Sequence, residues 1–154
     1  MKKKIIKWIL VVLWMSIIFY FSNFNSKEST NQSRSIIDKS IVEIYKEKNN
    51  VNDYVALEKV DIIVRKIAHI IEYLVLVILV CILISEYCKQ LNKTLIISFI
   101  ISILYSISDE IHQYFVIGRS CEIRDIIIDS IGIIIGLFLF KIIKRSNYDK
   151  RCII

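Results

Sequence analysis

The chain has 154 residues, of which 55% are apolar, and it contains no proline. The length fits one domain spanning 1–154, and the apolar fraction exceeds the roughly 45–50% of a soluble domain, which favours a membrane protein. The net charge of +6 combines 21 basic with 15 acidic residues, and the basic residues gather beside apolar runs rather than along one stripe. This distribution is typical of membrane anchors and argues against a nucleic-acid partner.

The first apolar run covers 5–22 and follows a basic amino terminus, Lys2–Lys4. Trp8 and Trp14 place aromatic rings towards the ends of a helix, as in a membrane span. The residues after Phe21 offer no small-x-small cleavage site of a signal peptide. We therefore expect an uncleaved first transmembrane helix with its basic end in the cytoplasm.

Residues 23–62 form a polar loop without a long apolar run. Ile37, Ile41 and Ile44 recur at helical spacing, opposite charged residues. This pattern favours a short amphipathic extracytoplasmic helix lying on the membrane surface or capping the bundle. A mobile linker between two spans fits the same composition, so both interpretations stay open.

The second span needs more residues than its uninterrupted apolar run provides. Residues 73–84 would make about 18 Å of helix, whereas the hydrocarbon core is about 30 Å thick. The span must begin earlier, over about 64–85, and include Arg65, His69 and Glu72. These three side chains share one helix face, which must look into the bundle or a wet cavity because lipid cannot solvate it.

The third and fourth spans are predicted over about 92–109 and 125–143. The polar side chains Asp109, Glu110 and Gln113 follow the third span at its end. On the fourth span, one face carries two carboxylates and a Gly-x-x-x-Gly pair that favours close helix packing, and its members are Asp125, Asp129, Gly132 and Gly136.

Four spans place both termini on one side of the membrane. The lysine and arginine clusters at the two termini and between the second and third spans then all lie in the cytoplasm, as the positive-inside rule favours. The polar side chains of three spans converge at the opposite, extracytoplasmic end. The predicted fold is therefore an all-α, polytopic membrane protein with four transmembrane helices.

Three sequence blocks carry ordered motifs. Residues 65–73 read Arg-Lys-x-Ala-His-x-x-Glu-Tyr, 109–119 read Asp-Glu-x-x-Gln-x-Phe-x-x-Gly-Arg, and 125–136 read Asp-x-x-x-Asp-x-x-Gly-x-x-x-Gly. In this order they resemble the pattern of the VanZ-like family of bacterial membrane proteins. One departure is Ile117, where that family usually has proline before Gly-Arg.

The resemblance implies a place in the bacterial cytoplasmic membrane and a role at the cell envelope. The family's name comes from a protein linked to low-level resistance to the glycopeptide teicoplanin, and no biochemical activity is implied. Expected partners are membrane lipids, with a lipid-linked envelope precursor or a glycopeptide as the ligand. We assign no cofactor and no metal. The candidate polar site comprises Arg65, His69, Glu72, Asp109, Glu110, Gln113, Arg119, Asp125 and Asp129.

Besides transport or a proton relay, which four short spans without an internal repeat disfavour, three interpretations of this site stay open. The charges could form ion pairs that hold the helices together. They could instead form a site in which Arg65 and Arg119 bind an anionic head group while a carboxylate and His69 transfer protons, as in a hydrolase or transferase acting on a lipid-linked or phospholipid substrate. The third interpretation is a metal site built on His69 and Glu72 together with Asp109 or its neighbours.

Overall fold

The computed structural model describes residues 2–24, 31, 34–35, 37–116 and 122–149. In that part of the chain all regular structure is helical, and no strand occurs. The helices are α1 (Lys2–Ser22), α2 (Lys39–Asn49), α3 (Asp53–Ile84), α4 (Leu91–Tyr114) and α5 (Ile123–Asp149). Four of them, α1, α3, α4 and α5, are long and apolar enough to cross a membrane. The prediction of an all-α protein with four spanning helices is confirmed.

Helix α3 begins at Asp53 rather than near residue 64. Asn52 caps it, because its side-chain oxygen accepts a hydrogen bond from the backbone N–H of Val55 at 2.9 Å. The 32 residues of α3 make about 48 Å of helix, more than the roughly 30 Å hydrocarbon core. The first turns of α3 therefore extend beyond the core, and the end of the predicted polar loop 23–62 is helical.

Helix α2 lies within the same polar segment and packs against α3. Asp38 caps its start by accepting a hydrogen bond from the backbone N–H of Ser40, and this bond lowers the pKa of the Asp38 carboxyl. Asn50 ends the helix in the left-handed conformation, with φ 50°. Ile41 and Ile44 are exposed on α2. The short amphipathic helix predicted within 23–62 therefore forms, over Lys39–Asn49.

Helix α3 is the centre of the bundle. It packs most extensively on α5 and also contacts α1, α2 and α4. Its last three turns supply most of the deeply buried apolar side chains, from Tyr73 to Leu83, and α5 adds Ile133. By contrast, α1, α4 and α5 each expose a row of large apolar side chains, as helices that face lipid do.

Helix α1 is fastened to its neighbours by hydrogen bonds to backbone carbonyls. The Trp14 indole N–H donates to the carbonyl oxygen of Glu72 on α3 at 2.9 Å. The Tyr105 hydroxyl on α4 donates to the carbonyl oxygen of Met15 at 2.6 Å. Each donor belongs to an aromatic side chain that combines a large apolar ring with one polar group. The two hydrogen bonds therefore fix the position of α1 along α3 and α4.

One end of the bundle, here called the lysine end, collects basic side chains from three elements. Lys7 on α1 forms an ion pair with Glu86, which follows α3, and the hydrogen bond and charge of Lys7 lower the pKa of the Glu86 carboxyl. Lys89 and Lys144 line one pocket at the same end, together with Thr94 on α4. The carboxyl end of α4 and the start of α5 lie at the opposite end.

Candidate functional site

Helices α3 and α5 approach each other most closely at two glycines. A Cβ atom added to Gly132 would lie 2.2 Å from the backbone oxygen of Ile70. A Cβ atom added to Gly136 would lie 2.4 Å from a methyl group of Val77 and 2.9 Å from the backbone oxygen of Leu74. Only glycine allows this backbone-to-backbone contact, which brings the polar side chains one turn away within reach of α3.

Asp129 joins three helices directly beside that contact. Its Oδ1 atom lies 3.3 Å from Nδ1 of His69 on α3, an ion-pair distance without the alignment of a hydrogen bond. Its Oδ2 atom accepts a hydrogen bond from the hydroxyl of Ser106 on α4 at 2.7 Å. Asp129 is only 2% exposed, so these contacts replace its hydration.

Helix α4 buries three polar side chains in its last two turns. Asp109, Glu110 and Gln113 are each at most 4% exposed. The Gln113 amide donates to Oδ2 of Asp109 at 3.0 Å, while Oε1 of Glu110 accepts from the backbone N–H of Glu122 at 2.5 Å. The Glu110 bond ties the end of α4 to the residue that precedes α5.

Electrostatic contacts connect these groups into one site. The negative charges of Glu72 and Asp125 are close enough to His69 to attract its positively charged form. The carboxylates of Asp109 and Asp129 are close enough to repel each other. The site, here called the carboxylate cluster, comprises His69, Glu72, Asp109, Glu110, Gln113, Asp125 and Asp129. Helices α3, α4 and α5 all contribute to it.

The helices that form this cluster carry the three sequence blocks, and a comparison with protein families identifies the chain. The model of the VanZ/LLP1 family matches residues 7–144, which is nearly the whole sequence. The chain belongs to the VanZ/LLP1 family. A search of curated proteins and a search of solved structures each found no match.

The VanZ/LLP1 fold brings together seven of the nine predicted site residues. Arg65 lies at the margin of the cluster, one helical turn before His69, with its side chain 37% exposed and its Nη2 atom 3.6 Å from Oδ2 of Asp61. Arg119 lies outside the described residues. An anionic ligand held by both arginines therefore stays a prediction.

Asp61 was not among the predicted site residues, although its side chain is only 4% exposed. It falls within the polar loop predicted over 23–62, and a loop carboxylate gave no reason to expect burial. Its spacing offered a signal, because Asp61, Arg65 and His69 follow one another at intervals of four residues on one helix face. Because α3 begins at Asp53, Asp61 lies within the helix, and the four-residue spacing places it on the same face as Arg65 and His69.

The buried carboxylates of this VanZ/LLP1 cluster and their partners determine its chemistry. Among the described residues, three carboxylates of the cluster are buried, those of Asp109, Glu110 and Asp129, and the carboxylate of Asp61 is buried near it. Buried carboxylates require protons, hydrogen bonds or cations, and His69 gives Asp129 a partner that can exchange a proton. No group of three histidine, cysteine, aspartate or glutamate side chains within the described ranges is arranged to hold a metal ion. The contact of His69 with Asp129 is the described pair between which a proton can be exchanged.

Proposed function

We propose that this VanZ/LLP1 membrane protein lies in the bacterial cytoplasmic membrane with both termini in the cytoplasm. The positive-inside tendency supports this orientation, because Lys7, Lys89 and Lys144 meet at the lysine end. The carboxylate cluster then faces outward. Reporter fusions at the two termini test the orientation. Activity of a cytoplasm-restricted reporter at both ends is expected, and activity of a periplasm-restricted reporter at either end contradicts it.

The function that we infer is a contribution to tolerance of glycopeptides such as teicoplanin, exerted at the cell envelope through the carboxylate cluster. The family match carries this inference. The outward position of the cluster supports it, because glycopeptides and lipid-linked envelope precursors meet at the outer leaflet. Membrane lipids surround the bundle, and a lipid-linked precursor or the glycopeptide itself is the proposed ligand.

Teicoplanin susceptibility of a sensitive bacterium that expresses the protein tests this function. Asp129→Asn removes the charge that pairs with His69, whereas Asp53→Asn makes the same chemical change at an exposed carboxylate beside Lys46. We expect wild type and Asp53→Asn to protect, and Asp129→Asn to lose protection while it accumulates normally in the membrane. Protection that merely tracks protein level would show that the charges only hold the bundle together. Absence of protection by wild type would refute the glycopeptide role.

A second candidate function is a membrane enzyme that acts on a lipid-linked or phospholipid substrate at the outer leaflet. The observation in its favour is the contact between the buried carboxylate of Asp129 and the half-buried imidazole of His69, which also interacts with the charge of Glu72. This arrangement suits general acid–base catalysis. It differs from a serine nucleophile triad, because Ser106 donates to the carboxylate and not to the histidine.

Product analysis after incubation with bilayers that contain phospholipids or lipid-linked precursors tests the enzyme. Wild type should convert one lipid class, and His69→Gln should lose this conversion because the side chain can no longer carry a proton. Equal lipid profiles for wild type and protein-free bilayers would eliminate this candidate.

A further inference from the structure

The pocket at the lysine end plays no part in the carboxylate cluster. It has a volume of about 140 Å³, and its walls come from the turn after α3, the start of α4 and the last turns of α5. Lys89 and Lys144 line it from different elements. The hydroxyl groups that line it, those of Ser85 and Thr94, already donate to backbone carbonyls. The two ammonium groups are therefore the strong hydrogen-bond donors left for a ligand in this pocket.

The charge around this pocket is strongly unbalanced. Residues 2–10, 85–94 and 137–144 include eight lysines and one acidic residue, Glu86. Lys7 already pairs with Glu86, and the charges of Lys4 and Lys144 add to its effect in lowering the pKa of the Glu86 carboxyl. Within the described ranges, neither Lys89 nor Lys144 forms an ion pair with a carboxylate. An anion in the pocket would therefore reduce the mutual repulsion of these lysines.

The depth of the pocket matches that of the head groups of a lipid leaflet. The apolar span of α4 begins at Leu91 and that of α5 ends at Lys144, and both residues line the pocket. Phe140, which is only 8% exposed, gives the pocket an apolar wall, whereas Ile142 and Ile143 of the same helix are exposed. Lipid phosphates lie at the ends of spanning helices, and basic pockets between such helices bind anionic head groups. The exposed isoleucines are then in a position to contact the acyl chains.

We propose that this pocket binds the phosphate of an anionic phospholipid through the ammonium groups of Lys89 and Lys144. One phosphate has enough acceptor oxygens to accept hydrogen bonds from both lysines. A free phosphate offers the same oxygens, but it has no acyl chains to cover the exposed apolar side chains of α5. The site lies at the end of the bundle opposite to the carboxylate cluster, so it depends on neither of the two proposed functions.

Native mass spectrometry of the full-length protein in detergent, with equal amounts of phosphatidylglycerol and phosphatidylcholine, tests the site. The pocket variant combines Lys89→Gln with Lys144→Gln. The control variant combines Lys93→Gln with Lys141→Gln, two exposed lysines of the same end that do not line the pocket, so both variants have the same net charge. We expect wild type and the control variant to retain one phosphatidylglycerol in preference to phosphatidylcholine. The pocket variant should bind phosphatidylglycerol at least about tenfold more weakly, because it loses hydrogen bonds to a charged group.

Equal affinities of the two double variants for phosphatidylglycerol would overturn the site, because the lysines would then attract anionic lipid only through their general charge. Retention of phosphatidylcholine as strong as that of phosphatidylglycerol would overturn the requirement for an anionic lipid. Inorganic phosphate is added alone in a separate sample, and its binding without any retention of lipid would overturn the assignment to a lipid. Lys89→Arg with Lys144→Arg keeps both charges, so this variant should retain phosphatidylglycerol even where the glutamine variant fails to fold. Loss of the lipid by the folded arginine variant would overturn the proposal as well.

Discussion

Substitution of Gly132 by alanine tests whether the contact between α3 and α5 positions the carboxylate cluster. The added Cβ atom would lie 2.2 Å from the backbone oxygen of Ile70, and real Cβ atoms essentially never approach another atom within 3.0 Å. The obstacle is backbone, so no rotamer change removes it, and the helices must separate by about 0.8 Å. Asp129 and His69 lie on the adjacent turns, so their 3.3 Å contact lengthens as well.

The expected loss of stability follows from two opposing effects. Overpacking costs about 1–3 kcal/mol, and a contact with backbone lies towards the upper end of that range. Alanine in place of glycine recovers about 1 kcal/mol of helix propensity. The net loss is about 2 kcal/mol, or a fall of about 4–8 °C in melting temperature for a chain of this size.

Thermal unfolding in detergent measures this change, and Gly136→Ala is the matched comparison. Its closest obstacle is the Val77 side chain, which can rotate, and the nearest backbone oxygen lies at 2.9 Å. We therefore expect a smaller fall for Gly136→Ala than for Gly132→Ala. A melting temperature of Gly132→Ala equal to that of wild type would refute the tight contact and the positioning argument built on it.

Three further changes test contacts of α1. Glu86 has a lowered pKa because of Lys7, so this pair stabilises the protein above the ordinary glutamate pKa of about 4.3, and the contribution disappears as pH falls through the folded-state value. Lys7→Gln should remove that acid dependence from pH-resolved melting curves, and an unchanged dependence would contradict it. Trp14→Phe removes the bond to the Glu72 carbonyl and should cost about 1 kcal/mol in unfolding free energy, measured by denaturant titration. Tyr105→Phe removes the hydrogen bond to the Met15 carbonyl and should also cost about 1 kcal/mol in unfolding free energy. An unfolding free energy equal to wild type for both variants would contradict these two contacts.

Local patterns in the sequence were sufficient for the class of fold. Hydrophobic runs long enough to cross a bilayer predicted four spanning helices, because a backbone in lipid must satisfy its hydrogen bonds within each helix. The bounds of a helix were harder to predict where the helix begins with polar residues. The capping bond from Asn52 and the packing of α2 on α3 let the helix begin at Asp53, where composition alone indicated a loop.

The same reasoning explains which site residues could be found from the sequence. A charge inside an apolar run is costly, so His69 and Asp129 were recognisable without any structure. Asp61 was missed, because it fell within the polar loop predicted over 23–62, although its spacing to Arg65 offered a signal.

The sequence by itself determined that four helices cross the membrane and which of their faces are polar, since both follow from residue spacing within one helix. Only the tertiary structure decided which polar groups of different helices meet: Asp129 with His69 and Ser106, and Glu110 with the backbone of Glu122. These pairings depend on the rotation and depth of each helix against its neighbours. The glycine contact sets how closely α3 and α5 approach each other, and that distance is a property of packing between helices.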